Sequence, residues 1–339
     1  MMSGERLNVG VIGAGGIARS VHLPSLSEIE GASVVAVCDL IESRAAEQAE
    51  RFGIPRTYTL FRRMLDAEDL DAVFVLVEPS NLFHVTVACL EAGLPTFMEK
   101  PPGITLYQAR SLQRAAEKAG RILQVGFNRR FVPVVRKALD IMREHTEITQ
   151  AIGRFMKCGT AAFDKGGVSA FRADTIHAAD LVRAVAGSPP VSAATVRGQS
   201  EDTVANRWNS VVRFENGVTG VVQANYQTGG RTHTFEFHGP GASAFINLGT
   251  GGSECEARML INESREGYSL AASGISGGSL LELDGKELAG SDAFHRYYGF
   301  YDEDVHFLKC VRTGEEPETS IGDAVRTFEL VDMLESNVI

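Results

Sequence analysis

Long apolar runs are missing from this chain. None approaches the roughly 18 residues that a membrane-spanning helix needs, so no span is expected. Cysteine is scarce and scattered: Cys38, Cys89, Cys158, Cys255 and Cys310 are odd in number, far apart and never in a C-x-x-C pair. That usage argues against a disulfide framework or a zinc site, and a reducing cytoplasm is the expected setting. Positive charge is in deficit. Lys and Arg number 33 against 43 Asp and Glu, a net charge of -10, which disfavours nucleic acid and anionic membrane as partners. The N-terminus passes from Met1 through Glu5 and Arg6 straight into a strand pattern, without the apolar core and cleavage site of a secretory leader. There is no G-x-S-x-G nucleophile turn. His233, His238 and His295 have no ligand spacing among themselves, so no metal site is expected.

What is present is globular. Of 339 residues, 44% are hydrophobic and 22% charged, enough for two domains with sizeable cores. Leu7 to Ile12 is a continuous β-type run that enters Gly13-Ala14-Gly15-Gly16-Ile17-Ala18, a G-x-G-x-x-A pattern. Such glycines permit a tight turn and close backbone approach to a diphosphate, and the next helix offers free N–H groups. Ala32 to Cys38 reads as a second strand and ends in Asp39. A carboxylate there can accept from a ribose 2′-hydroxyl and repels a 2′-phosphate, so NAD is expected; Arg44 nearby keeps NADP possible.

The alternation continues. Ser43 to Phe52 is a helix and Asp71 to Val77 a strand, which ends in a loop Glu78-Pro79-Ser80-Asn81. A helix from His84 to Ala92 stops at Gly93. Leu94 to Met98 is a buried strand that delivers Glu99-Lys100-Pro101-Pro102 to its carboxyl end, the ligand edge of an open α/β sheet. A helix from Thr105 to Lys118 and a strand from Arg121 to Gly126 complete a doubly wound parallel sheet over 1–126.

After Gly126 the pattern changes to α+β over 127–297. Helices are expected at Val132–Arg143 and Thr175–Val185, with a strand near Thr149–Cys158. From Val191 to Leu283 the signals are mostly β, with Asn216-Gly217 and Gly239-Pro240-Gly241 as hairpin turns. We expect a large, mostly antiparallel, open-faced sheet with strands in sequence. Its exposed face needs covering, so a homodimer or homotetramer is expected. Residues 298–339 read as two C-terminal helices packing back on the first domain.

These residues, in this order, resemble the Gfo/Idh/MocA oxidoreductases. The likeness rests on the glycine loop running to His22-Leu23-Pro24, Pro79 with His84, Glu99-Lys100-Pro101, Gly126-Phe127-Asn128-Arg129-Arg130-Phe131, and His177-x-x-Asp180. It implies a Rossmann domain and an open-faced substrate domain. It also implies hydride transfer between a nicotinamide and a hydroxyl-bearing carbon of a sugar, cyclitol or polyol. Lys100 falls on the family's catalytic lysine and His177 on its catalytic histidine, with the site expected between the domains. Such chemistry needs a group to take the hydroxyl proton and another to hold the oxygen. Glu99 is read as counterbalancing or orienting Lys100, against a carboxylate that stabilises the loop, and Pro101 as a candidate cis proline.

Many family members carry Asp four residues before the histidine. Here that place is Ala173, and the nearest acid is Asp174. Asp174 has two readings, a catalytic substitute on the same helix face and an N-cap. Pro79, Asn81, His84, Glu99 and Asn128 are candidates to meet the cofactor; for Asn128 a turn role competes, and for His84 a structural one. Arg129, Arg130 and Arg172 are candidates for an acidic group on the substrate, against pairing of at least two of them with this protein's own acids. Trp208 and Phe163 are sugar-stacking or core residues. Two other functions stay open: a glycosidase using NAD transiently, and a non-catalytic nucleotide or sugar sensor.

Overall fold

The computed structural model describes residues 6–159, 168–200, 204–250, 252–262 and 278–339. The chain forms two compact units. The first comprises 1–128, 164–173 and 294–329; the second comprises 129–163, 174–293 and 330–339.

The first unit is built on six parallel strands: β1 (Leu7–Ile12), β2 (Ala32–Cys38), β3 (Arg56–Tyr58), β4 (Ala72–Val75), β5 (Thr96–Met98) and β6 (Leu123–Val125). Their order is β3-β2-β1-β4-β5-β6. The switch between β1 and β4 opens a crevice at the carboxyl ends, where doubly wound sheets bind ligands. β4 and β5 are buried throughout, matching the apolar run of β4 and the Phe97-Met98 pair of β5. Phe74 and Phe97 stack with ring centroids 4.8 Å apart, and Phe307 meets both edge-on. The short β3 carries no apolar run and escaped sequence reading.

The helix expected from His84 begins five residues earlier and runs Pro79–Glu91. Proline lacks the N–H that a first helical residue leaves unused, and its fixed φ suits that place. Pro79 and Asn81 therefore sit on the first turn of a helix rather than in a loop.

The second unit is an eight-stranded sheet: β7 (Gln150–Cys158), β8 (Pro190–Gly198), β9 (Arg207–Phe214), β10 (Thr219–Asn225), β11 (Gln227–Gly239), β12 (Ala242–Leu248), β13 (Cys255–Asn262) and β14 (Gly278–Asp284). The order β14-β13-β12-β11-β7-β10-β9-β8 corrects the expectation of strands in sequence. β7 inserts between β11 and β10 and pairs parallel with β10. Both expected hairpins are present, with Gly217 and Gly241 at positive φ.

Alternation is strict on β9 and β13, one face buried and the other exposed. The buried face carries the helix Ile176–Ala186. A Cβ on Gly153 would lie 3.1 Å from the Cβ of Ala178, so glycine sets how closely helix and sheet approach. The opposite face presents Val196, Val211, Phe245 and Leu260, each at least 39% exposed. A polar row crosses it: Gln223 donates to Asn209, and Arg154 donates to Gln223 and Glu236.

Candidate active site

β1 ends at the glycine loop. Gly13 has φ of 102°, and an added Cβ would sit 2.4 Å from the carbonyl oxygen of Leu76. Only glycine passes there. Its N–H donates to the Cys38 carbonyl at 2.7 Å, tying the loop to β2. Gly15 and Gly16 differ: a Cβ on either would meet nothing within 4 Å. That open space, in front of the helical turn that begins at Gly16 and continues through Ile17 and Ala18, is a cradle a diphosphate fits.

Asp39 is fixed at both oxygens. Oδ2 accepts from Ala14 N–H and Oδ1 from Ile41 N–H, each at 2.9 Å. The carboxylate is thereby held at the rim of a cleft of about 340 Å³ lined by Gly13, Gly15, Asp39, Arg44, Asn81 and His84. These six come from three separate stretches of sequence. Leu40, Ile41 and Phe61 also line the cleft. Leu40 is 79% exposed, an apolar wall that sequence reading missed; a large apolar side chain directly after the strand-end acid was the available signal. A fixed carboxylate between apolar walls is a lining that the adenosine end of a dinucleotide would fit.

At the end of β5, Lys100 donates from Nζ to the carbonyl oxygen of Ala173 at 2.7 Å. The Lys100–Pro101 bond is cis. Glu99 is buried, accepts from Lys100 N–H at 3.1 Å, and contacts His22 Nε2 at 3.1 Å. His22 Nδ1 lies 3.0 Å from Asp304 Oδ1. Burial alone would depress the His22 pKa, but Asp304 and Glu99 together raise it to about 10. His22 is therefore an imidazolium between two acids. Burial pushes the Glu99 pKa up, and His22 and Lys100 more than reverse this, leaving it lowered. For Asp304 burial wins, and its pKa is raised. Sequence reading noted His22 only as part of the run that follows the glycine loop, and did not find Asp304.

Asn128 is buried, and its amide donates to the Tyr298 carbonyl at 2.8 Å. The Arg172 guanidinium lies over the Phe328 ring at 5.2 Å and donates to the Ile104 carbonyl at 3.5 Å.

The second unit carries the other candidates. Asp174 lies in a helical turn, Phe171–Thr175, that leads into Ile176–Ala186. The cap position belongs to Thr175, which makes no side-chain cap bond, so the capping reading of Asp174 is set aside. Its carboxylate instead accepts from Tyr226 OH at 3.0 Å and pairs with Lys157 Nζ. Burial, with Asp174 adding, raises the Tyr226 pKa well above its ordinary value. His177 follows one helical turn later and is buried. Arg129 is buried with its guanidinium 5.9 Å from the Phe155 ring, which stacks on His233 at 3.8 Å. Burial, then Arg129, lowers the His233 pKa to about 2, so that ring is neutral. Arg130 is paired with Asp180, and Trp208 is a core residue edge-on to Tyr226. Phe163 lies outside the described residues. Lys157 and Tyr226 are polar groups that sequence reading did not single out.

No helix among the described residues is long and apolar enough to cross a membrane, and no group of three or more potential metal ligands occurs among them.

Two family models match: "Oxidoreductase family, NAD-binding Rossmann fold" over residues 7–127, and "GFO/IDH/MocA C-terminal domain" over 159–245. Among curated proteins, D-apiose dehydrogenase of Paraburkholderia graminis is 28% identical across 97% of this chain and 86% of its own length. D-glucoside 3-dehydrogenase of Escherichia coli is 35% identical, but over 44% of this chain and 41% of its own length. In three dimensions, a dehydrogenase from Chromobacterium violaceum superposes with a TM-score of 0.85 over 98% of this chain and 95% of that one, at 19% identity. With an NAD-binding first unit and a matching C-terminal domain, the chain belongs to the Gfo/Idh/MocA family of oxidoreductases.

Proposed function

We propose that this protein is an NAD(P)-dependent dehydrogenase that moves hydride between the nicotinamide and a hydroxyl or keto carbon of a sugar, cyclitol or related polyol. Lys100 in the first unit and His177 in the second handle the proton. The observation that carries the reading is Lys100 itself, presented at the carboxyl end of β5 with its ammonium held by a main-chain carbonyl.

The bound cofactor supplies a hydride acceptor at nicotinamide C4. The protein's own work is proton handling. Oxidation of an alcohol sheds the hydroxyl proton as the C–H pair leaves. The imidazole of His177 takes that proton, and the Lys100 ammonium stabilises the developing alkoxide. In reduction the same groups return the proton to the carbonyl oxygen. Glu99 fixes the backbone of Lys100 and supports its charge. Asp174, bound to Tyr226 and Lys157, is ready to orient substrate hydroxyls.

Asp39 favours NAD, because its fixed carboxylate would repel a 2′-phosphate. The open face of the second sheet, with Val211 and Phe245 exposed, is assigned to a second copy of the chain in a homodimer or homotetramer. The five cysteines, none in a disulfide, suit a cytoplasmic setting.

The test is a panel of polyols and sugars with NAD and NADP, followed by nicotinamide absorbance. The Lys100→Ala protein should bind cofactor normally and lose turnover by a factor of at least about 100. Full activity in that variant would remove Lys100 from the mechanism. Net hydrolysis of a glycoside without accumulation of reduced cofactor would favour the glycosidase reading instead.

A further inference from the structure

Lys100 leaves its strand at a place poor in backbone donors. Glu99 N–H still belongs to the sheet, donating to the Val75 carbonyl at 3.0 Å, and Gly126 N–H donates to the Met98 carbonyl at 2.8 Å. Beyond Lys100 come Pro101 and Pro102, which have no N–H. Between Glu99 and Gly103 the chain therefore offers one main-chain donor, the N–H of Lys100. Glu99 Oε2 accepts from it at 3.1 Å. The other oxygen, Oε1, meets His22 Nε2 at 3.1 Å. His22 Nδ1 meets both oxygens of Asp304, at 3.0 and 3.3 Å. Gly126 leaves the carboxylate its space: a Cβ there would lie 3.3 Å from Glu99 Oε1.

Packing does not ask for this arrangement. His22 is completely buried against the rings of Phe74, Phe97 and Phe300, a cage that an apolar side chain would fill. Replacing a buried ion set as a whole by apolar residues is often neutral or stabilising, so stability alone does not account for it. A neutral imidazole donates from one nitrogen only, whereas here each nitrogen faces a carboxylate. Asp304 and Glu99 raise the His22 pKa to about 10, so both N–H groups persist through the neutral range. With Oε1 fixed by His22, Glu99 Oε2 is aimed at the Lys100 N–H.

We propose that His22, seated between Asp304 and Glu99, is a positioning residue for the reaction: through Glu99 it fixes the backbone of Lys100, and thereby the direction in which the ammonium is presented. The inference rests on the dehydrogenase reading for the duty of Lys100, but not for the linkage from His22 to its backbone. Lys100 is held at two points, its N–H by Glu99 and its Nζ by the Ala173 carbonyl at 2.7 Å. Without the first hold, the lysine is anchored at its tip, the atom that also has to stabilise the substrate oxygen. His22 closes the helical turn Ala18–His22 that follows the glycine loop, so the turn behind the diphosphate cradle also braces the lysine.

The experiment is amide hydrogen exchange, by nuclear magnetic resonance, on the full chain carrying 15N-labelled lysine. The chain has seven lysines, so few signals need assigning, and Lys100→Arg identifies the one in question. Lys118, in the helix Leu106–Ala119, and Lys309, in the helix Phe300–Thr313, are controls in the same unit. In His22→Leu the exchange of Lys100 should accelerate at least about tenfold relative to both controls, whereas a general loss of stability would accelerate all three. Glu99→Ala should do the same, and adding His22→Leu to it should raise the ratio no further. An unchanged ratio in His22→Leu, or a further rise in the double variant, would overturn the proposal. Turnover is the second readout, with myo-inositol, D-glucose and D-glucitol as hydride donors to NAD. In His22→Leu, kcat should fall at least about tenfold with KM for NAD within about twofold, and no further fall should appear in a Lys100→Ala background. An equal fall in that background would put the effect of His22 elsewhere and overturn the proposal. Full activity of Lys100→Ala beside a raised exchange ratio would refute the catalytic duty of Lys100 and sustain the linkage.

Discussion

His22→Leu isolates the value of a buried charge. The side chain is completely buried among the rings of Phe74, Phe97 and Phe300. Leucine is compatible with that apolar cage. What disappears is the imidazolium between Asp304 and Glu99. Two buried carboxylates would remain without their shared cation, and removing one partner from such a set costs about 3–5 kcal/mol. The pH dependence follows from the same groups. A folded-state pKa of about 10 against 6.5 gives stability that is fully present below pH 6.5 and lost as pH rises through 10. Its ceiling is roughly 5 kcal/mol, and the raised Asp304 pKa opposes it at every pH above the carboxylate range. The gap between native protein and variant should therefore be widest just below pH 6.5 and narrow as pH approaches 10.

Tryptophan fluorescence would miss this effect. The one tryptophan, Trp208, is in the second unit, whereas His22 is in the first. Urea unfolding followed by far-UV circular dichroism, with hydrogen exchange on β1 and β5 to assign the transition, reads the right unit. A loss below about 1 kcal/mol at neutral pH would place the substitution among ordinary surface changes and refute the charged-imidazolium account. So would an equal loss at neutral pH and near pH 10.

Three further outcomes are expected. Gly13→Ala forces a Cβ to 2.4 Å from the Leu76 oxygen at a positive φ; it should cost about 2–4 kcal/mol and abolish tight NAD binding, read by thermal unfolding and cofactor titration. Asp39→Ala should weaken NAD about tenfold and narrow the NAD-to-NADP preference, measured as two dissociation constants from reduced-cofactor fluorescence; an unchanged ratio would remove Asp39 from ribose recognition. Val211→Glu puts a charge on a half-exposed apolar position of the open sheet face and should turn an oligomer into monomer by light scattering, whereas a native protein already monomeric at micromolar concentration would contradict the assignment of that face.

The first unit was readable because its signals are local. A buried strand, a glycine turn, a helix and a strand-end acid follow one another within about 30 residues, and each has its own chemistry. Parallel strands buried on both faces are nearly pure apolar runs, so β1, β4 and β5 declared themselves. β3 did not: Arg56-Thr57-Tyr58 is a short edge strand with no apolar pattern. In the second unit alternation revealed the strands and Asn-Gly revealed a hairpin. The insertion of β7 between β10 and β11 did not show, because pairing across such distances leaves no local trace. The His22 charge network was hidden for the same reason, since Asp304 is 282 residues away.

Ala173 and Asp174 show the limit most sharply. From sequence, one position had lost the acid that many relatives carry, and the next held an acid with two possible duties. Capping fails because the backbone is already helical ahead of Asp174: Ala173 N–H donates to the Ser169 carbonyl at 2.9 Å. Asp174 turns to Lys157 and Tyr226, 17 residues before it and 52 after it in sequence, partners that only the strand order brings within reach. Ala173 contributes something no side-chain motif records, a main-chain oxygen that accepts from Lys100. A carboxylate at that place would both orient and neutralise the ammonium. A carbonyl orients it without neutralising it, which suits the role proposed for Lys100. The substitution of alanine for aspartate is therefore compatible with a working lysine, and it moves the acid one residue along, to where Lys157 already supplies a cation.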